Sequence, residues 1–152
     1  MGGEEIGKHA FLAPGCIVVM DLDDFKQVTE RMGWHPYKPN IITGRLTVLV
    51  ESLLTKHNGV SIYGLDYQRG TEEAVIEFPF KDCSSIKEEL EIIRKEVNDL
   101  GFSITIVCVN GIVLGKPSSS RKGAYHGSPW RRRASTLLRR AKRRGGNTIY
   151  CE

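Results

Sequence analysis

The chain has 152 residues, of which 40% are hydrophobic and 26% are charged. This length is enough for one compact domain and too short for two ordinary ones. The composition is close to the globular average, which excludes a disordered, collagen-like or coiled-coil protein. No stretch reaches the about 18 apolar residues of a membrane span, and the first residues lack the apolar core of a signal peptide. We therefore expect a soluble, cytoplasmic protein without a membrane partner.

Charge is divided unevenly along the chain. Up to Gly115, 11 lysines and arginines stand against 17 acids, a net charge of −6. From Lys116 onward, 11 basic residues stand against Glu152 alone, a net charge of +10. A segment this basic is a candidate docking surface for polyphosphate or nucleic acid. The alternative is a solvated, arginine-rich helix face.

The cysteines form no recognisable motif. Cys16, Cys83, Cys108 and Cys151 include no C-x-x-C pair, and their spacing with the four histidines matches no zinc site. We expect no disulfide framework, because a chain of this size builds a sufficient core without one. Cys16 and Cys108 are interpreted as small buried hydrophobic residues, with one oxidised pair as the alternative.

The first third of the chain predicts a strand followed by two helices. The uninterrupted apolar run 16–20 is typical of a strand covered on both faces. A short helix over Phe25–Met32 stops at Gly33, and two prolines keep the next segment irregular. Asn40 caps a longer helix that ends at Asn58. One apolar stripe runs along that helix, formed by Ile42, Leu46, Leu49, Val50 and Leu53.

The middle of the chain predicts a hairpin and a helix. Two β-rich runs, 60–67 and 73–78, flank polar residues that are typical of a turn. Ser85 and Glu88 form a capping box at the start of the helix, which Gly101 ends. Its apolar stripe is formed by Ile86, Leu90, Ile93 and Val97.

The last third predicts a strand, a loop, a basic helix and an edge strand. Residues 103–109 are apolar and β-branched, and the segment from Lys116 to about Gly127 indicates a flexible loop. Ser128 and Pro129 predict the start of the basic helix, and residues 147–151 form the last strand. The predicted order βααββαβαβ is an α/β sandwich, with helices packed on a mixed sheet.

Carboxylates are concentrated at two places in this pattern. Asp21, Asp23 and Asp24 directly follow the first strand, and Glu72 and Glu73 stand at the hairpin turn. Dense carboxylates repel each other and are commonly stabilised by a divalent cation; Mg²⁺ takes one or two of them together with substrate phosphates. If the strand and the hairpin are sheet neighbours, Asp21 and Glu72 converge on one metal site. The alternative is a solvated acidic loop.

Three segments resemble the GGDEF domains, diguanylate cyclases that share a palm fold with polymerases and class III nucleotide cyclases. Residues 21–26, DLDDFK, are similar to the family's D-x-D-x-F-K segment, and residues 70–79, GTEEAVIEFP, lie where it has its signature hairpin. Residues 134–147 are similar to its closing helix and its A-K-x-x-G-R-N segment. The resemblance implies a single palm domain over residues 16–152, with residues 1–15 as an N-terminal extension.

The resemblance also implies chemistry. It predicts a metal-dependent nucleotidyl cyclase or nucleotidyltransferase, in which a 3′-hydroxyl attacks the α-phosphate of a nucleoside triphosphate and pyrophosphate leaves. Asp21 and Glu72 would bind Mg²⁺ or Mn²⁺ by their side chains and Leu22 by its carbonyl, while Glu73 would assist the 3′-hydroxyl or the metals. The implied nucleotide-binding residues are Leu22, Phe25, Lys26, Thr29, Lys38, Gly70, Thr71 and Lys142.

Departures from the family pattern leave the substrate and the activity open. Thr71 replaces the second signature glycine and Ala74 the phenylalanine, while Thr29 and Lys38 stand at the positions that read guanine. Because a lysine cannot accept hydrogen bonds from guanine, the triphosphate could be GTP or ATP. The resemblance suggests two facing protomers, cyclic nucleotide signalling and a cyclic dinucleotide product. The alternative is a catalytically inactive module of the same fold that binds nucleotide, or nucleic acid through the basic helix.

Overall fold

The structure, a computed structural model, describes residues 12–152 and consists of five strands and five helices in that range. In chain order, the elements are β1 (Ala13–Leu22), α1 (Phe25–Met32), α2 (Ile41–His57), β2 (Val60–Tyr63), β3 (Glu73–Pro79), α3 (Cys83–Asp99), β4 (Ile104–Val113), α4 (Arg121–His126), α5 (Pro129–Arg143) and β5 (Ile149–Cys151).

The strands form one mixed sheet in the order β2-β3-β1-β4-β5. Each adjacent pair among the first four strands of this order is antiparallel, and β5 runs parallel to β4 at the edge. The predicted α/β sandwich with helices packed on a mixed sheet is therefore confirmed. The apolar run 16–20 forms the middle of the central strand, and all five of its residues are fully buried.

Helices cover both faces of the sheet, because successive side chains of a strand point to opposite sides. On one face, Cys16, Val18 and Met20 of β1 pack with the apolar stripes of α2 and α3. On the other face, Ile17 and Val19 pack with residues of α4 and α5. This double coverage explains the lack of polar alternation in β1.

The ends of several elements differ from the sequence prediction. β1 begins at Ala13, so residues 13–15 belong to the first strand, whereas residues 1–11 of the predicted extension lie outside the described residues. β2 stops at Tyr63 because Gly64 adopts a positive φ of 99° and lies against the backbone of β3. The cap of α3 is Asp82, not Ser85, since the Asp82 carboxylate accepts a hydrogen bond from the Ser85 amide.

The predicted loop from Lys116 to about Gly127 contains the short helix α4. Ser120 caps it by accepting a hydrogen bond from the Gly123 amide. Ala124 and Tyr125 bury their side chains against the sheet, which stabilises one helical turn that the polar composition of the segment did not reveal.

A disulfide joins Cys83, the first residue of α3, to Cys108 on β4. The alternative of one oxidised pair is therefore the one that the structure shows, and Cys108 is buried but not a free thiol. The pair is separated by 25 residues, and it meets because α3 packs on the same face of the sheet that carries Cys108. Cys16 is free and fully buried, and burial raises the pKa of its thiol to about 12.

In the range 12–152, no helix combines the length and the apolar character needed to cross a lipid bilayer.

Candidate functional site

The end of β1 and the bend before β3 lie side by side. Asp21 is paired with Glu73 across the antiparallel ladder, and the Leu22 amide donates a hydrogen bond of 3.0 Å to the Glu72 carbonyl. The two acidic segments that the sequence separates by 50 residues therefore meet at one edge of the sheet. A shared site at Asp21 and Glu72 requires that the first strand and the hairpin be neighbours in the sheet, and they are.

Lys142 of α5 places its ammonium group at the end of β1. Its Nζ lies 3.3 Å from Asp21 Oδ2 and 2.8 Å from Asp23 Oδ1. It also lies 3.4 Å from each of the carbonyl oxygens of Asp21 and Leu22. One positive charge thus contacts the carboxylate and the carbonyl that the family resemblance assigns to a metal.

Asp21 carries its negative charge in an unfavourable position. Burial raises the pKa of its carboxyl from 3.8 to about 6; the nearby Lys142 opposes this rise, and the charge of Glu73 adds to it. Partial desolvation and the charge of Glu73 likewise raise the pKa of the Glu72 carboxyl. Neighbouring carboxyls with raised pKa values are typical of functional sites and also occur in structural clusters of charge.

Glu73 is held by α4. Its Oε1 accepts a hydrogen bond of 2.9 Å from Arg121 Nε and one of 2.7 Å from the Tyr125 hydroxyl. The Arg121 guanidinium also lies over the Tyr125 ring, 4.5 Å from its centroid. Sequence reasoning missed both partners, because they lie in the segment interpreted as a flexible loop.

A cavity of about 290 Å³ adjoins these carboxylates. Six of the predicted site residues line it: Phe25, Thr29, Lys38, Gly70, Glu72 and Glu73. The further lining residues, which the sequence did not single out, are His35, Pro36, Asn40, Thr43, Tyr63, Gly64, Leu65, Asp66 and Arg69. The polar turn before β3 was the available signal for Arg69, whereas Asp66 falls in the run 60–67 that the sequence predicted as a strand.

The cavity wall at the bend is packed tightly against α2. Gly70 has a φ of 83°, and a Cβ there would collide with the side chain of Thr43. Thr71 is fully buried, and its hydroxyl oxygen lies 2.7 Å from that of Thr47. The Thr71 hydroxyl also accepts a hydrogen bond from the Asp66 amide, so in this structure Thr71 holds the bend and does not line the cavity.

The remaining predicted residues lie apart from the cavity wall. Lys26 is exposed on α1, and the Leu22 side chain is buried in the core, with only its carbonyl directed to Lys142. Asp23 anchors the chain, because it accepts hydrogen bonds from the Thr105 hydroxyl and the Asn147 amide.

The three acidic residues do not form a ready-made ligand cage. Among residues 12–152, Asp21, Glu72 and Glu73 do not bring one oxygen each within 4.8 Å of one another. A cation at this edge would therefore draw on carboxylates from two segments and on the Leu22 carbonyl. Water and substrate phosphates would complete its coordination, as is usual for Mg²⁺.

Comparisons with known proteins identify the fold. No protein-family model matches the chain, and no curated protein does. Among solved structures, the chain is similar to a microbial GGDEF domain described in its interaction with bis-(3′,5′)-cyclic di-GMP. The TM-score is 0.55 at 16% identity, and the match covers 92% of this chain and 78% of the other. The chain therefore has a divergent GGDEF-like fold, which is the fold that the sequence resemblance implied.

Proposed function

We propose that the chain binds a nucleoside triphosphate together with a divalent cation and acts as a nucleotidyl cyclase or nucleotidyltransferase. A 3′-hydroxyl would attack an α-phosphate, and pyrophosphate would leave. The observation that carries this proposal is the pairing of Asp21 with Glu73, because it sets the end of β1 beside the cavity that Glu72 and Glu73 line.

The donor set at this edge fits Mg²⁺ or Mn²⁺. Asp21 and Glu72 would hold the ion by their carboxylates and Leu22 by its carbonyl, all hard oxygen ligands. The raised pKa of Asp21 supports the assignment, since a cation would stabilise a charge that burial disfavours. A bound ion of this kind neutralises negative charge on the triphosphate and on the departing pyrophosphate.

The protein side chains would orient the reacting groups. Both hydrogen bonds from Arg121 and Tyr125 go to Oε1 of Glu73, so Oε2 would accept the hydrogen bond of the 3′-hydroxyl. Lys142 would supply a positive charge to the triphosphate, because its ammonium lies at the end of β1. Lys38 lines the cavity and would donate to an acceptor on the base, which leaves GTP and ATP as the substrates to compare.

A cyclic dinucleotide product would require two protomers, each holding one triphosphate, to face each other. This arrangement is proposed from the fold alone. Chemical cross-linking or light scattering in the presence of triphosphate and Mg²⁺ would measure whether the chain dimerises.

A second candidate function is binding without turnover. Positive charges already compensate the acidic site, since Lys142 contacts Asp21 and Arg121 contacts Glu73. A surface for nucleic acid is offered by the exposed arginines of α5 and of the residue that follows it: Arg132, Arg133, Arg139, Arg140, Arg143 and Arg144. Binding to that surface would weaken steeply as salt rises, whereas triphosphate binding would depend mainly on the cation.

Product analysis separates the two candidates. The protein is incubated with each of the four ribonucleoside triphosphates plus Mg²⁺ or Mn²⁺, and the products are identified by mass spectrometry. We expect pyrophosphate and a cyclic or linear nucleotide product from the unaltered chain and from Asp99→Asn, an exposed control. Asp21→Asn should give none. Equal turnover by Asp21→Asn would contradict the assigned site, and no turnover by any protein would favour the binding module.

A further inference from the structure

Three cysteines from distant parts of the chain converge in the core. Cys16 lies on β1, Cys83 begins α3 and Cys108 lies on β4. Their sulfur atoms all lie within 4.8 Å of one another, and all three residues are buried. In the range 12–152, this is the one group of three or more potential metal-ligand side chains gathered so closely.

This arrangement differs from that of an ordinary structural disulfide. The bond between Cys83 and Cys108 accounts for two of the sulfurs, yet Cys16 places a third sulfur beside them without a covalent partner. Cys151 is paired with Cys108 in the parallel β4–β5 ladder and packs against the same apolar cluster. All four cysteines of the chain therefore belong to or pack against the same apolar cluster on one face of the sheet.

We propose that, once the disulfide is reduced, Cys16, Cys83 and Cys108 bind one Zn²⁺ as thiolates. Zinc takes sulfur ligands at about 2.3 Å in a tetrahedron, so its sulfurs lie about 3.8 Å apart. Cys16 Sγ lies within 4.8 Å of the other two sulfurs, and side-chain rotations after reduction would move the Cys83 and Cys108 sulfurs apart to the distance that zinc requires. The fourth position would be filled by water or by Cys151.

The surroundings of Cys83 suit a ligand. The residue stands at the first position of the 17-residue helix α3, where the partial positive charge of the helix end stabilises a thiolate. Its amide donates a hydrogen bond of 2.9 Å to Asn110 Oδ1, which fixes the backbone that carries the sulfur. Ordering of this kind around a ligand strengthens metal sites.

Zinc binding would follow reduction of the Cys83–Cys108 disulfide as a separate step. A dithiol reductant transfers two electrons and two protons to the disulfide, which yields two protein thiols and one oxidised dithiol. Binding of Zn²⁺ then releases one proton from each coordinating thiol. The disulfide and the metal site are thus two states of the same sulfurs, and the oxidised chain should not bind the metal at this place.

Cobalt titration tests the proposal, because Co²⁺ in thiolate sites gives intense charge-transfer bands that oxygen ligands do not give. The full chain is reduced, freed of metal and titrated without oxygen. We expect one Co²⁺ per chain with a tetrahedral thiolate spectrum, displaced by one Zn²⁺. Cys16→Ala should bind Co²⁺ at least about tenfold more weakly. Val18→Ala, which shortens a buried neighbour on the same face of β1, should bind as the unaltered chain does.

Three results would overturn the proposal: no thiolate bands in the reduced chain, equal bands in the oxidised chain, or unchanged affinity in Cys16→Ala. If Cys16→Ala fails to fold, Cys83→Ser provides the same test at the helix start. The outcome does not depend on the nucleotide site, since Asp21→Asn should keep the thiolate spectrum. A cobalt spectrum that lacks the thiolate bands and disappears in Asp21→Asn would place the cobalt at the carboxylates and would contradict the thiolate site.

Discussion

Replacement of Asp21 by asparagine should abolish turnover and stabilise the fold above about pH 6. Burial raises the pKa of this carboxyl from 3.8 to about 6. The folded state therefore binds the proton more tightly than the unfolded state. The contribution of Asp21 to the free energy of unfolding is therefore greatest below about pH 4, falls as the pH rises to about 6, and stays lower above that.

The magnitude follows from the size of the rise. At 1.36 kcal/mol per pH unit, the change from 3.8 to about 6 corresponds to about 3 kcal/mol. The Asp21 side chain is 28% exposed, and solvent reduces the effect to about 1–3 kcal/mol. Asparagine has no charge to desolvate, so the stability gained by Asp21→Asn over the unaltered chain should grow from about pH 4 to about pH 6 and stay at this amount above pH 6.

Urea unfolding at a series of pH values measures the difference in the free energy of unfolding. Asp99→Asn is the matched control, because it removes one carboxylate from an exposed ion pair with Lys95 on α3. Such a pair contributes less than about 1 kcal/mol, so the control should follow the unaltered chain at every pH. A difference for Asp21→Asn that stays constant with pH, or that has the opposite sign, would refute the reasoning.

Three further substitutions test the packing and the site. Arg131→Ala removes the guanidinium that is paired with the fully buried Glu77 carboxylate of β3, and it should lower the free energy of unfolding in urea by about 3–5 kcal/mol. Arg133→Ala, which removes an exposed ion pair on the same helix, should lower it by less than about 1 kcal/mol. Gly70→Ala should lower the melting temperature more than Gly33→Ala. Both positions have a positive φ, but only a Cβ at position 70 would collide with a neighbouring side chain, that of Thr43. Equal losses in the two variants would contradict the packing at the bend. Lys142→Ala should weaken triphosphate binding, measured by calorimetry, more than nucleoside binding, and equal losses would remove it as a phosphate ligand.

The parts of the fold that depend on local pattern could be predicted from the sequence. The apolar run 16–20 identified the doubly covered central strand, and the caps Asn40 and Ser128 located the starts of two helices. The sequence stated the adjacency of the first strand and the hairpin as a condition, and the structure meets it, because Asp21 pairs with Glu73 and the Leu22 amide donates a hydrogen bond to the Glu72 carbonyl.

The parts that depend on distant contacts could not be predicted. α4 is too short for a periodic signal and forms because Tyr125 packs on the sheet and binds Glu73 across 52 residues. The Cys83–Cys108 disulfide follows from the packing of α3 on β4, which the spacing of the cysteines does not encode. The same limitation concealed the cysteine cluster, whose sulfur atoms come from three separate elements.

The proposed binding of a divalent ion by Asp21, Leu22 and Glu72 is tested most directly by Mn²⁺ binding, measured by electron paramagnetic resonance with and without a non-hydrolysable triphosphate. The unaltered chain should bind Mn²⁺ more tightly when the triphosphate is present, and Asp21→Asn and Glu72→Gln should each lose that gain. Mn²⁺ binding that is the same in all three proteins would contradict the assignment of this edge of the sheet as the metal and nucleotide site.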